Sequence, residues 1–194
     1  MGLSTSRSPS RSYRPKVFKG DTGRDVNSVE LRYRALLGRI YAEKLLAGVD
    51  KFVVVYDETP SCIAMAAALL AAAKSARVDA VPSDRLTGEV DDAVLLMSPH
   101  VAELGKRAVE ILKRVKRFAA LHTPVFYALD EAGGAAEALS GKEVRFAVRE
   151  QPGEITFYKV SVSGGGVKTE IYDVYKLSPE EVELIRQYEK LHTS

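Results

Sequence analysis

The chain has a single cysteine, Cys62, and no tryptophan in 194 residues. One thiol forms no internal bridge, and no Cys/His cluster has zinc-ligand spacing, so a disulfide scaffold and a zinc ribbon are both excluded. Side-chain amides are scarce as well: Asn27, Gln151 and Gln187 are all there are. Few thermolabile amides beside abundant Lys, Arg and Glu point to a thermophile. Long apolar runs are also missing. The longest, Ile63 to Ala73, is far below the roughly 20 residues that span a bilayer, and no apolar stretch follows Arg7, Arg11 and Arg14 as a secretory signal requires. A cytoplasmic protein is the expectation.

Charge of either sign is plentiful, 28 Lys+Arg against 26 Asp+Glu, but it is unevenly placed. Residues 1–24 carry Arg7, Arg11, Arg14, Lys16, Lys19 and Arg24 against Asp21 alone, within a Ser/Pro/Arg-rich stretch that has almost nothing to bury. Such a segment cannot offset its ordering entropy and reads as a disordered basic tail. Arg11 and Arg14 are candidates for weak nucleic-acid contact, or the tail serves only solubility.

From Val29 onward the apolar residues recur at three- and four-residue steps, a helix closed by Gly48. Lys51 to Tyr56 (KFVVVY) is a strand buried on both faces, with Asp57 at its carboxyl end, and Pro60 starts an Ala-rich helix reaching Lys74. Val78–Val81 and Asp92–Met97 read as further strands, a helix is expected over Val101–His122, and a strand over Val125–Leu129. A short Ala-rich helix then ends near Gly141, and Val144–Val148 is another strand. This alternation predicts an α/β domain over residues 25–150: a mostly parallel, doubly wound sheet with helices on both faces. Residues 151–194 form an appendage in this reading: a β-hairpin of Ile155–Val162 and Val167–Tyr175 around Gly164–Gly166, then a helix opened by the capping box Ser178-Pro179-x-Glu181.

In such a sheet the ligand site lies at the carboxyl ends of the strands. The residues expected there include Asp57, Ser83, Asp84, Ser98, His100 and Asp130. Asp57, Asp84, His100 and Asp130 could form a rim holding Mg²⁺ or Mn²⁺, which favour oxygen ligands with occasional imidazole; solvated loop residues are the competing reading. No dinucleotide fingerprint follows the first strand, and neither a Walker A loop nor a nucleophile elbow occurs. Cys62 reads as a small helix residue, and His122 and His192 as helix-ending residues favoured by the dipole. Over the expected 101–122 helix, Leu104, Ala108, Ile111, Leu112, Val115 and Phe118 share one face. Lys106, Arg107, Lys113, Arg114 and Arg117 fall on the other, a basic stripe that either neutralises phosphates or is simply solvated.

Residues 29–131 resemble, in order and spacing, the N-terminal part of the DHH superfamily, which includes the RecJ exonucleases. KFVVVYDETPSCIAMAAALLAAA stands where that family places an Asp-x-Asp motif before an Ala-rich helix, and VDAVPSD, DAVLLMSPH and TPVFYALDE resemble its later strands. Asp57 matches the first aspartate, but Glu58, Thr59 and Pro60 do not restore Asp-x-Asp and no Asp-His-His triplet occurs. The likeness therefore implies a degenerate domain without catalytic residues, similar to the short archaeal GINS-associated factors related to the inactivated RecJ homologue of the eukaryotic replicative helicase. It implies a replication or repair subunit with GINS or MCM partners, weak DNA contact and no cofactor. The hairpin edge and closing helix would supply the protein contacts, and a homodimer is open. Two other readings stand beside it. One is a stand-alone single-stranded DNA-binding protein, with Tyr158, Tyr172 and Tyr175 as stacking platforms. The other is a metal-dependent nuclease or phosphodiesterase using Asp57, His100 and Asp130.

Overall fold

A computed structural model of the chain describes residues 27–73, 77–100, 102–163 and 166–193. The basic tail of residues 1–24, with Arg11 and Arg14, and the pair Gly164 and Gly165 lie outside them. Helix α1 (Ser28–Lys44) starts where the Asn27 side chain accepts the Val29 N–H at 2.9 Å. Strand β1 (Lys51–Tyr56) follows, then α2 (Pro60–Ala72), whose first turn holds Pro60 and whose Cys62 N–H is capped by the Thr59 hydroxyl. Next come β2 (Arg77–Pro82), β3 (Val90–Leu96) and α3 (Leu104–Leu112). The chain continues through β4 (Val115–Leu121), α4 (Thr123–Glu131), α5 (Ala135–Leu139) and β5 (Glu143–Gln151). It closes with β6 (Glu154–Ser163), β7 (Gly166–Lys176) and α6 (Pro179–Thr193). The capping box forms: Glu181 accepts the Ser178 N–H at 2.9 Å, and Ser178 Oγ accepts the Glu181 N–H at 3.3 Å.

The strands form one seven-stranded sheet in the order β2-β1-β3-β4-β5-β6-β7. The first five are parallel, and β6 and β7 add antiparallel. Because strand side chains alternate between faces, the central strands feed two cores. Ala93, Leu95 and Met97 point into one with α3, α4 and α5; Val94 and Leu96 point into the other with α1, α2 and α6. The expected α/β architecture with helices on both faces is thus present. The sheet runs unbroken past residue 150, because Val144 of β5 pairs with Val160 of β6 and Ile185 of α6 packs into the α1–α2 core. Among the described residues no helix is long and apolar enough to cross a membrane.

The stretch from 101 to 131 corrects the sequence reading. Residues 101–122 are not one helix: α3 stops at Leu112 and Val115–Leu121 is a strand. Val115 and Phe118 continue the helical spacing of α3, but Phe118-Ala119-Ala120-Leu121 is a continuous apolar run buried alternately in both cores. Between β3 and β5 such a run is enclosed on both faces as a strand, whereas a helix would spread it around its circumference. Val125–Leu129 is correspondingly helix rather than strand. Pro124 occupies the first turn of α4, and the buried Val125 and Leu129 sit four residues apart on one face. TPVFYALDE is therefore a helix, and the strand that precedes it supplies the sheet position.

Arg145 shows how this sheet tolerates a buried cation. Its guanidinium donates to the carbonyls of Leu45 and Ala47 at the end of α1, both at 2.9 Å, and to Glu143 at 2.7 Å. The Phe118 and Tyr172 rings lie 5.0 and 5.3 Å from it. A cation at a helix carboxyl terminus satisfies orphan carbonyls and suits the dipole.

Candidate functional site

The chain leaves β1 for β2 on one side and returns to β3 on the other, with α2 on one face of the sheet and α3 on the opposite face. That reversal opens a crevice at the carboxyl ends of β1 and β3, where ligands of open α/β sheets bind. Asp57 sits in it, 4 % exposed. Its backbone N–H continues the ladder to Leu96, and the Ser83 N–H does the same to Tyr56, so the ends of three strands converge on its carboxylate. Oδ1 accepts from Ser83 Oγ at 2.5 Å and from Arg107 Nη2 at 3.1 Å; Oδ2 accepts from the Ser98 N–H at 2.8 Å. Arg107 also donates to Ser83 Oγ at 2.7 Å. Both carboxylate oxygens are engaged by internal donors, one of them a full cation.

A small cleft adjoins this network on the α1–α2 side, with Glu30, Arg34, Cys62, His100 and His122 among its lining residues. Ser61 Oγ donates to Glu30 at 2.6 Å, and Glu30 lies 3.8 Å from Arg34. The Arg34 guanidinium stands 5.6 and 5.5 Å from the rings of Tyr33 and Tyr188 and donates to the Tyr188 hydroxyl at 3.0 Å. Burial pushes the Cys62 thiol up, against a smaller opposing effect of the Thr59 hydroxyl. His122 is buried, with Nδ1 3.4 Å from the Met97 carbonyl and its ring edge-on to Tyr41. Burial, helped by the Arg34 charge, lowers its pKa to about 3, so the ring is neutral at ordinary pH. It directly follows β4 and precedes the first turn of α4, so the expectation of a helix-ending histidine favoured by the dipole is corrected. The sequence signal for this position is the strand itself: a residue directly after FAAL belongs to the carboxyl rim.

The expected rim is only partly assembled. Asp57 lies at its centre; Asp84 and His100 are exposed, and the His100 N–H donates to Ser98 Oγ at 3.3 Å. Asp130 lies in the last turn of α4, so its placement at the end of a strand is corrected: that segment is helical. No three Asp, Glu, His or Cys side chains among the described residues gather as a metal-binding group.

The basic stripe is likewise redistributed. Lys106 and Lys113 project from α3 and its end to solvent, each near an acid three residues away, Glu103 at 2.7 Å and Glu110 at 3.8 Å. Arg107 turns inward to Asp57. Arg114 donates to the Leu86 carbonyl, and Arg117, on β4, pairs with Asp92 at 2.7 Å. The single-face arrangement of five cations is therefore corrected, because the helix that would carry it ends at Leu112. The three tyrosines are tied to internal partners: Tyr158 donates to Glu150 at 2.6 Å, Tyr172 to the Lys44 carbonyl at 3.2 Å and Tyr175 to Glu181 at 3.1 Å.

No protein-family model matches the chain, and no curated protein matches it in sequence.

Proposed function

We propose that the protein is a non-catalytic scaffold subunit built on a degenerate DHH-like sheet, serving DNA replication or repair with GINS- or MCM-type protein partners and weak DNA contact. The observation that carries this reading is the state of Asp57, the one position that matches the family's first metal-binding aspartate. Its carboxylate is held by Ser83, the Ser98 N–H and Arg107. A divalent ion coordinates carboxylate oxygen at about 2.0–2.6 Å and would have to compete with the arginine already bonded there. A cation of the protein's own thus neutralises the carboxylate, which suits a scaffold and opposes a two-metal phosphoesterase.

Weak DNA contact falls to Lys106 and Lys113 in this reading, with Arg11 and Arg14 of the tail. Exposed ion pairs are worth little, so Glu103 and Glu110 leave both lysines able to meet phosphate.

The test has two arms. Single-stranded DNA incubated with the purified protein and Mn²⁺ or Mg²⁺ is expected to remain intact. Affinity purification of the tagged protein from its native cells, with nuclease added, is expected to recover GINS or MCM subunits in stoichiometric amounts. Metal-dependent turnover abolished by Asp57→Ala would replace this reading with the nuclease one, and recovery of the protein alone would remove the partner assignment.

A further inference from the structure

Strand β7 is the last of the sheet and has no strand beyond it among the described residues. Before its irregularity it pairs evenly with β6, Val167 opposite Val162, Thr169 opposite Val160 and Ile171 opposite Tyr158; the register then shifts and leaves Tyr172 over. Tyr158 and Val160 are buried in the core of α3, α4 and α5, yet Val167 and Ile171, on the same face, are 47 % and 50 % exposed. A regular edge segment carrying exposed apolar side chains is a template for another strand, and the bulge at Tyr172 ends that template. On the opposite face, Lys168 and Glu170 are exposed, and neither forms an ion pair with another described residue.

We infer that residues 167–171 of β7 pair antiparallel with the same residues of a second copy, about a two-fold axis at Thr169. The charges select this register. With the axis at Thr169, Lys168 of each copy stands opposite Glu170 of the other, and Val167 opposite Ile171. An axis at Lys168, Glu170 or Asp173 sets a charged residue against itself, and one at Tyr172 sets Lys168 against Lys176. An axis at Ile171 leaves Lys168 facing Val174 and Glu170 facing Tyr172, with no ion pair. Only Thr169 yields two opposite-charge pairs on one face and two apolar pairs on the other, the kinds of cross-strand pair that stabilise sheets. The apolar pairs extend the row of Tyr158 and Val160 across the junction. The interface is isologous, so it closes at a dimer, and it does not depend on the replication role proposed above.

Sedimentation velocity of the full chain over a broad concentration range should show a reversible monomer–dimer equilibrium. Lys168→Glu sets like charges opposite each other twice and should weaken the dimer about tenfold, while Lys168→Glu with Glu170→Lys should restore it. Thr169→Cys in a Cys62→Ala background should cross-link under mild oxidation faster than Lys176→Cys, because only the residue on the axis meets its own counterpart. A monomer at every concentration overturns the inference. So does a dimer indifferent to Lys168→Glu, or cross-linking no faster at position 169 than at 176.

Discussion

Arg107 of α3 reaches across the carboxyl rim of the sheet to Asp57 at the end of β1, 3.1 Å from guanidinium to carboxylate, linking positions 50 residues apart. The pair joins the two halves of the crevice. Arg107 is one-third exposed and Asp57 only 4 %, so the penalty of an unpaired charge falls mainly on the acid.

Removing Arg107 as Arg107→Ala is therefore expected to cost about 1–3 kcal/mol in urea unfolding, since the half-screened arginine is worth less than a fully buried one. Asp57→Ala should cost a similar or larger amount, because the Ser98 N–H and Arg107 both lose their acceptor. The double variant should show a coupling of about 1 kcal/mol or more. If Asp57→Ala instead raised stability, Asp57 would be a strained functional group and the scaffold reading would be wrong.

The buried His122 makes stability depend on pH with a definite sign. Its folded pKa, lowered to about 3 by burial, lies below the ordinary histidine value of 6.5, so the unfolded chain takes up the proton first. Its contribution is fully present above pH 6.5 and is lost as pH falls from there toward 3. By pH 5 the loss amounts to about 2 kcal/mol from this one group. Chemical unfolding at pH 7 and pH 5 should show the difference, and His122→Phe should flatten it. An unchanged pH dependence in that variant would move the effect to another group.

Cys62 is buried in the first turn of α2, where burial pushes its thiol up. Reaction with a thiol reagent at pH 8 is expected to be slow in the folded protein and to rise to the rate of a free thiol once denaturant unfolds it. Fast labelling of the folded chain would mean that the adjoining cleft admits the reagent.

Two glycines set helix spacing. A Cβ at Gly38 of α1 would stand 2.4 Å from the Met65 carbonyl of α2, and one at Gly105 of α3 would stand 2.3 Å from the Ala128 carbonyl of α4. Both obstacles are backbone, so whole helices must shift. Gly38→Ala and Gly105→Ala should each destabilise by about 1–3 kcal/mol. Gly88→Ala, which meets nothing within 4 Å, serves as the neutral control. Melting temperatures of the three variants decide it.

The sequence alone determined the parts whose signals are local. KFVVVY and DAVLLM are apolar on every residue or nearly so, and such runs become strands enclosed on both faces; Asn27, Thr59-Pro60 and Ser178 with Glu181 mark helix starts by hydrogen bonds within a few residues. The hairpin of β6 and β7 was equally legible. Tertiary structure decided residues 113–131, because Val115 and Phe118 extend the helical spacing of α3 while FAAL suits a strand, and the space between β3 and β5 determines which applies. That same choice fixed the site. With Val115–Leu121 a strand, His122 reaches the carboxyl rim, the five-cation stripe is broken up, and Arg107 stands on a short helix from which it meets Asp57. Contacts between side chains 50 positions apart leave no periodicity to read, because they depend on which strands lie side by side and on nothing in their own neighbourhoods.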